Sequence, residues 1–178
     1  IGLVFCADKG AHWGGNKYAR EISSKFTLDF MQKHLEEDIV VWVNPIAPFQ
    51  TGTEILDIVD YFLNNSLDSL ITTEEKKVHC NFMNEPVNYQ LEGDFAQTQD
   101  LIPVQTFVYS LMMWRSKTFL SSDDGKSESL FCGKFDVYSV KKETAIIVKT
   151  PYDLKIADLL MQSKDKVGDN YKVNYLEL

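Results

Sequence analysis

Few residues in this chain have types and spacing that suggest chemistry. A glycine-rich stretch, KGAHWGGNK (9–17), follows the short apolar run GLVFCAD (2–8). Such a loop after a strand can wrap a phosphate with backbone N–H groups, but its spacing matches neither the dinucleotide-binding nor the P-loop pattern. A nucleotide loop and an ordinary loop therefore both stay open. Further on, VVWVNPIAPFQTGTEI (40–55) drives a strand into a corner with two prolines and then into a helix start. Asn44 stands at the carboxyl end of that strand, where an amide is well placed for a ligand hydroxyl or carbonyl. Equally, it can cap the turn before Pro45. Cys6, Cys80 and Cys132 are odd in number and far apart, and His12, His34 and His79 are as scattered. No zinc spacing or disulfide framework is present, so buried free thiols in a reducing, cytoplasmic setting are expected. Arginine, the usual bidentate clamp for carboxylate and phosphate, occurs only at Arg20 and Arg115.

These residues need a scaffold, and 178 residues suffice for a single domain over 1–178 that buries its own core. A net charge of −8 argues against nucleic acid as a partner, since phosphate neutralisation needs a basic stripe. No apolar run reaches membrane length, and the first residues show no basic segment leading into a cleavable apolar one. DIVVWV (38–43) is a continuous apolar run, as in a parallel strand buried on both faces. Thr51 three residues before Glu54 has capping-box spacing. Ile55, Ile58, Val59, Phe62 and Leu63 then form one helical stripe, with Asp57, Asp60 and Tyr61 opposite. A strand within 64–75 completes a strand–helix–strand unit, which implies a mostly parallel sheet covered by helices. Helical spacing also marks 27–37, through Leu28, Met31 and Leu35. Strands are expected at 106–114, 135–140 and 145–149. A final helix over 150–162 has Thr150 as N-cap, Pro151 in its first turn and a buried face of Leu154, Ala157, Leu160 and Met161. The stretch from 76 to 104 is polar and aperiodic, and 121–129 reads as a solvent loop.

Four segments in order resemble the acylneuraminate cytidylyltransferase family, which includes the CMP-sialic acid and CMP-KDO synthetases. VNPIAPFQTGTEI (43–55) is similar to the family's strand, Gln-Pro-Thr-Ser-Pro-Leu-Arg corner and helix. TQDLIP (98–103) is similar to Arg-Gln-Asp-Leu-Pro, and QTFVYSL (105–111) to Asn-Gly-Ala-Ile-Tyr. AIIVKTPYDLKIADLLM (145–161) is similar to Ile-Asp-Ile-Asp-Thr and the helix that follows. FCAD (5–8) takes the place of a strand ending Ser-Thr-Asp, with Arg20 at the arginine after it.

The resemblance implies a three-layer α/β/α, Rossmann-like fold of the nucleotide-diphospho-sugar-transferase kind, with an irregular dimerisation arm at about 76–130. It implies a homodimer whose reaction is attack of an acidic sugar's anomeric hydroxyl on the α-phosphate of CTP, releasing pyrophosphate. It carries substrate contacts onto Asn44, Pro45, Gln50, Gln99, Tyr109, Arg20 and Lys149, with Tyr109 in the core and its hydroxyl at the site edge, and assigns no catalytic residue. The family uses Mg²⁺, but its two metal aspartates correspond to Ile147 and Lys149, so the ligand positions are not retained. Its arginines correspond to Gln50 and Thr98, and its Asn-Gly pair to Gln105 and Thr106. The family's CTP loop would precede this chain, so the first half-unit is expected to be missing or replaced. The alternative is a non-catalytic relative that kept the fold as a sugar-binding or dimer-forming module. A different nucleotidyl- or glycosyltransferase of similar fold is a third reading.

Overall fold

The computed structural model of the chain describes residues 3–6, 30, 32–33, 38–92, 96–122 and 129–166. The glycine-rich stretch 9–17, Arg20, most of the 27–37 helix and the centre of the 121–129 loop lie outside the described residues. Residues 30, 32 and 33 of that expected helix are helical.

The apolar run before the corner is strand β2 (Ile39–Val43), and the helix after it is α1 (Gly52–Asn64). The Thr51 hydroxyl accepts from the Glu54 backbone N–H at 3.2 Å, which caps α1 as its spacing predicts. Ile58, Val59 and Phe62 are buried along the expected stripe. Tyr61, placed opposite by the pattern, instead leans on the core and donates to Asp136 Oδ2 at 2.8 Å. Strand β3 (Ser69–Lys76) follows.

The central sheet has five strands, with β1 (Leu3–Cys6) at one edge and β7 (Phe135–Ser139) at the other. β1 pairs parallel with β2, and β3 with β7. Strand β6 (Val104–Arg115) lies between β2 and β3 and runs antiparallel to both. Four strands thus point one way and one is reversed. Side chains alternate across both faces. Ile39, Val41, Leu70, Leu111 and Met113 pack under α1. Val40, Trp42, Ile71, Met112 and Trp114 face the other layer, where Phe30, Leu130 and the short helix α2 (Ser116–Ser121) cover them. The three-layer α/β reading with a mostly parallel sheet holds.

Three expectations fail here. Residues 145–149 form no strand. Ala145 and Ile147 instead pack against the α1-side core, satisfying the hydrophobicity of the run without a ladder. The last helix, α3 (Pro151–Lys166), exists, but Leu154, Leu160 and Met161 are exposed, and Ala157 is its buried contact. Of the stretch 76–130 assigned to the arm, residues 104–115 are β6 inside the sheet. The part that leaves it is 77–103, which includes the small hairpin β4 (Asn81–Phe82) and β5 (Glu85–Pro86). Its turn residues Met83 and Asn84 both have positive φ, as two-residue hairpin turns of the primed type require.

At the amino end of β3, Asp68 ties three segments together. Its carboxylate accepts from the Lys134 N–H at 2.8 Å and from the Thr118 hydroxyl at 3.0 Å. Gly133, at φ +58, leaves the space this needs, because a Cβ there would lie 2.5 Å from Asp68. The Lys134 N–H, with Thr118 and the nearby Arg115 and Lys134 charges, holds the Asp68 carboxyl below its ordinary value. A depressed native pKa contributes stability above the unfolded-state pKa, and that stability is lost as pH falls through the native value. Asp68→Asn is therefore expected to cost about 1–2 kcal/mol at neutral pH. The gap to wild type should shrink below about pH 3.9, the ordinary aspartate value. Urea midpoints at neutral and acid pH measure both.

Candidate functional site

The four parallel strands end at one edge of the sheet, and the corner 44–50 lies at that edge, where α/β folds place ligands. Asn44 continues β2, and its N–H donates to the Ser110 carbonyl at 2.9 Å. Asn44 Oδ1 accepts from the Ile46 N–H at 3.3 Å. Both sequence readings of this residue thus have a place. The carboxamide oxygen caps the turn, while its nitrogen makes no bond among the described residues. Pro45 is exposed on the rim, and Ala47 and Phe49 are buried behind it.

The corner is held from behind by Glu54. This carboxylate is only 2% exposed and sits in the first turn of α1, where the helix dipole favours negative charge. Glu54 Oε2 accepts from Gln50 Nε2 at 2.8 Å and from the Thr144 hydroxyl at 2.6 Å, and Oε1 from the Lys141 N–H at 2.9 Å. Because a carboxylate only accepts, Gln50 must turn its nitrogen towards Glu54. Its Oε1 is left buried with no hydrogen-bond partner.

The strip 141–149 is stitched along the corner at three points. These are the Lys141 N–H on Glu54, Thr144 on Glu54 and, at 3.4 Å, on the Phe49 carbonyl, and the Val148 N–H on the Ile46 carbonyl at 2.8 Å. Lys149 is the exposed end of that strip. Its N–H and that of Thr150 both donate to Asp153 Oδ2, at 3.0 and 2.8 Å, while the Asp153 N–H returns to Thr150 Oγ1 at 3.2 Å. This reciprocal box starts α3. The Lys149 and Thr150 donors hold the Asp153 carboxyl below its usual range.

The fourth wall is a bulge in β6. Pairing slips between Ile71↔Met112 and Thr73↔Phe107, so Val108–Leu111 swell opposite Thr72 alone. The Thr72 hydroxyl fills the gap, accepting from the Leu111 N–H at 3.1 Å and donating to the Leu111 carbonyl at 3.0 Å. Tyr109 lies at its crest with φ 53, the left-handed region that a tyrosine rarely occupies. It was expected in the core; instead it is 38% exposed and stacks at 5.6 Å on Phe107. A bulge re-aims side chains, and here it turns this one out of the sheet.

Asn44, Pro45, Gln50, Tyr109 and Lys149 are thus brought to one edge. Gln99 is not: it lies in the arm, where its carbonyl accepts from Lys77 Nζ at 2.7 Å. Sequence reasoning missed the linking roles of Glu54, Thr72 and Thr144. Only Glu54 had a signal, its capping-box spacing. Cys80 and Cys132 are free thiols, and burial pushes the Cys132 thiol up. No helix among the described residues is long and apolar enough to cross a membrane.

The position that the resemblance gives to a magnesium ion can be tested against these donors. Magnesium takes hard oxygen ligands at near-octahedral geometry. Ile147 packs on the core, Lys149 is a cation, and Glu54 and Asp153 are turned onto their own partners. Among the described residues no group of three potential ligands converges. The donors present around Lys149 do not fit the ion.

No protein-family model matches this chain, and no curated protein matches it in sequence. Solved structures do match in fold. The 4-diphosphocytidyl-2C-methyl-D-erythritol synthase from Anaerococcus prevotii aligns with a TM-score of 0.53 at 14% identity, over 80% of this chain and 64% of that one. The 2-C-methyl-D-erythritol 4-phosphate cytidylyltransferase from Francisella tularensis aligns with a TM-score of 0.52 at 15% identity, over 87% and 78%. A CMP:2-keto-3-deoxy-manno-octonic acid synthetase in complex with CTP aligns with a TM-score of 0.50 at 10% identity, over 92% and 82%. The chain therefore spans less than two thirds of the Anaerococcus enzyme. Its fold is of the nucleotide-diphospho-sugar-transferase type that these cytidylyl-transferring enzymes share.

Proposed function

We propose that the chain is a cytidylyltransferase-like domain whose reaction joins CTP to an acidic sugar of the sialic acid or KDO type. A sugar hydroxyl attacks the α-phosphate, the bond to the β-phosphate breaks, and pyrophosphate and one proton leave. The observation that carries this reading is the corner 44–50 with its stitched strip, at the carboxyl edge of a sheet of the cytidylyltransferase type. Asn44 offers its amide nitrogen, Pro45 and Tyr109 form walls, and Lys149 offers a charge to an anion. Gln50 shapes the corner through Glu54. Gln99 acts from the arm of a partner copy, and Arg20 from the segment after β1. A homodimer built on the arm is supported by its exposed apolar residues, among them Phe82, Met83, Val87 and Ile102. The free thiols fit a reducing, cytoplasmic setting.

A second reading is a non-catalytic sugar-binding or dimer-forming module. It is favoured by the isoleucine and lysine where the resemblance asks for a carboxylate pair. Mixing the protein with CTP, Mg²⁺ and candidate acidic sugars and measuring pyrophosphate separates the two. Release with any of these sugars supports the transferase; none with every sugar leaves the module.

A further inference from the structure

We propose that the strip 141–149 is an anion-binding rim that takes a phosphate group without a divalent ion. This rests on the reading above only in taking the corner as the ligand site. Within a chain of net charge −8, this strip holds Lys141, Lys142 and Lys149 against the single acid Glu143. All four are exposed, and the three lysine amines make no hydrogen bond or close ion pair among the described residues. Other lysines at the same edge are already engaged: Lys76 pairs with Glu74 at 2.9 Å, and Lys77 bonds the Gln99 carbonyl.

The strip cannot drift from the corner, because Glu54 and the Ile46 carbonyl hold it at residues 141, 144 and 148. The same contacts remove the carboxylates that a cation would need. Both oxygens of Glu54 are occupied and buried, and Asp153 Oδ2 closes the α3 cap. At the corner's rim three lysines face solvent beside the single acid Glu143, and lysine is a compact point charge suited to phosphate. A divalent ion placed there would be repelled by the group best able to bind the ligand. If it coordinated the phosphate in solution, it would neutralise the charge on which the rim acts. The ligand class is thus a phosphate-bearing molecule, either a nucleotide or a sugar phosphate.

Calorimetry on the full chain in EDTA tests this, with inorganic pyrophosphate as probe and CTP and ribose 5-phosphate as separate arms. Pyrophosphate is expected to bind in EDTA, to bind more weakly when Mg²⁺ replaces EDTA, and to bind Lys149→Glu roughly tenfold more weakly or worse. Lys117→Glu, exposed on α2 beyond the opposite end of β3, is expected to bind like wild type. Whichever of the two arms loses affinity in Lys149→Glu identifies the source of the phosphate. Binding that requires Mg²⁺, Lys149→Glu binding as tightly as wild type, or no binding of any probe each overturns the proposal. None of these readouts needs turnover. A chain that binds in EDTA but releases no pyrophosphate sinks the transferase reading and leaves this one standing.

Discussion

Glu54→Leu is expected to destabilise the protein by about 3–5 kcal/mol, because it leaves one buried and two partly buried donors without an acceptor. Those donors are Gln50 Nε2, the Thr144 hydroxyl and the Lys141 N–H. Leucine is close to glutamate in volume, so the loss is not chiefly a cavity. Each orphaned neutral donor carries a desolvation penalty of about 1–3 kcal/mol. Partial relaxation of the strip into water keeps the total below their sum. The Gln50 amide would be left with both of its polar ends unpaired, since its Oε1 already has no partner. Glu54→Gln keeps an acceptor for the Lys141 N–H or for Thr144, so its cost should be roughly half as large. Urea unfolding of both variants and of Thr144→Val gives the numbers. A Glu54→Leu cost under about 1 kcal/mol would show that the carboxylate is solvated rather than a clamp. A folded Glu54→Leu protein should also bind pyrophosphate more weakly, since the rim loses its anchor at 141 and 144.

The second large effect lies on the opposite face. Trp114→Ala is expected to cost about 3–5 kcal/mol, the range for deleting a fully buried large aromatic. Trp114 is 0% exposed near the carboxyl end of β6 and meets Phe119 edge-to-face at 5.5 Å. Its Nε1 donates to the Leu130 carbonyl at 3.1 Å, which ties the 129–131 turn to the sheet. Trp114→Phe retains most of the apolar contact but leaves that carbonyl unpaired and a small void, so about 1–2 kcal/mol is expected. Thermal or urea unfolding checks the order. Trp114→Phe should leave pyrophosphate binding unchanged, because its contacts lie beside the amino end of β2, away from the corner at its carboxyl end. That contrast separates loss of stability from loss of rim geometry.

The parts of this molecule that were legible in the sequence are those where local pattern and tertiary role agree. β2 is apolar throughout because both of its faces are covered, and α1 shows its stripe because only one of its faces is. Thr51 and Thr150 cap their helices as their spacing predicts. Reading failed where one pattern serves two ends. The β-branched run at 145–149 has strand composition, but composition does not distinguish pairing in a ladder from packing on a core. In α3, leucines at helical spacing suggested burial, yet the small side chain of Ala157 makes the close approach and Leu154 is 59% exposed. Tyr109 looked like a core residue because a three-residue slip in pairing has no local signature. It depends on Thr72, which lies far away in sequence, to satisfy the backbone that the slip releases. The corner was visible through its prolines. Glu54 was visible only as a cap, since its distant partners at 141 and 144 have no spacing rule to betray them.

The reversed strand has a consequence for how this architecture can change. Lys76 and Val104 are cross-strand partners, so the chain departs from the sheet and re-enters it at a single rung of the ladder. Antiparallel partners stand about 4.5–5.5 Å apart, a gap that a short turn can close. Everything from 77 to 103 is therefore a graft, replaceable by a tight connection without breaking another rung. Lineages built on this plan are free to lengthen, shorten or redecorate that outgrowth while the ladder of β3 and β6 stays put.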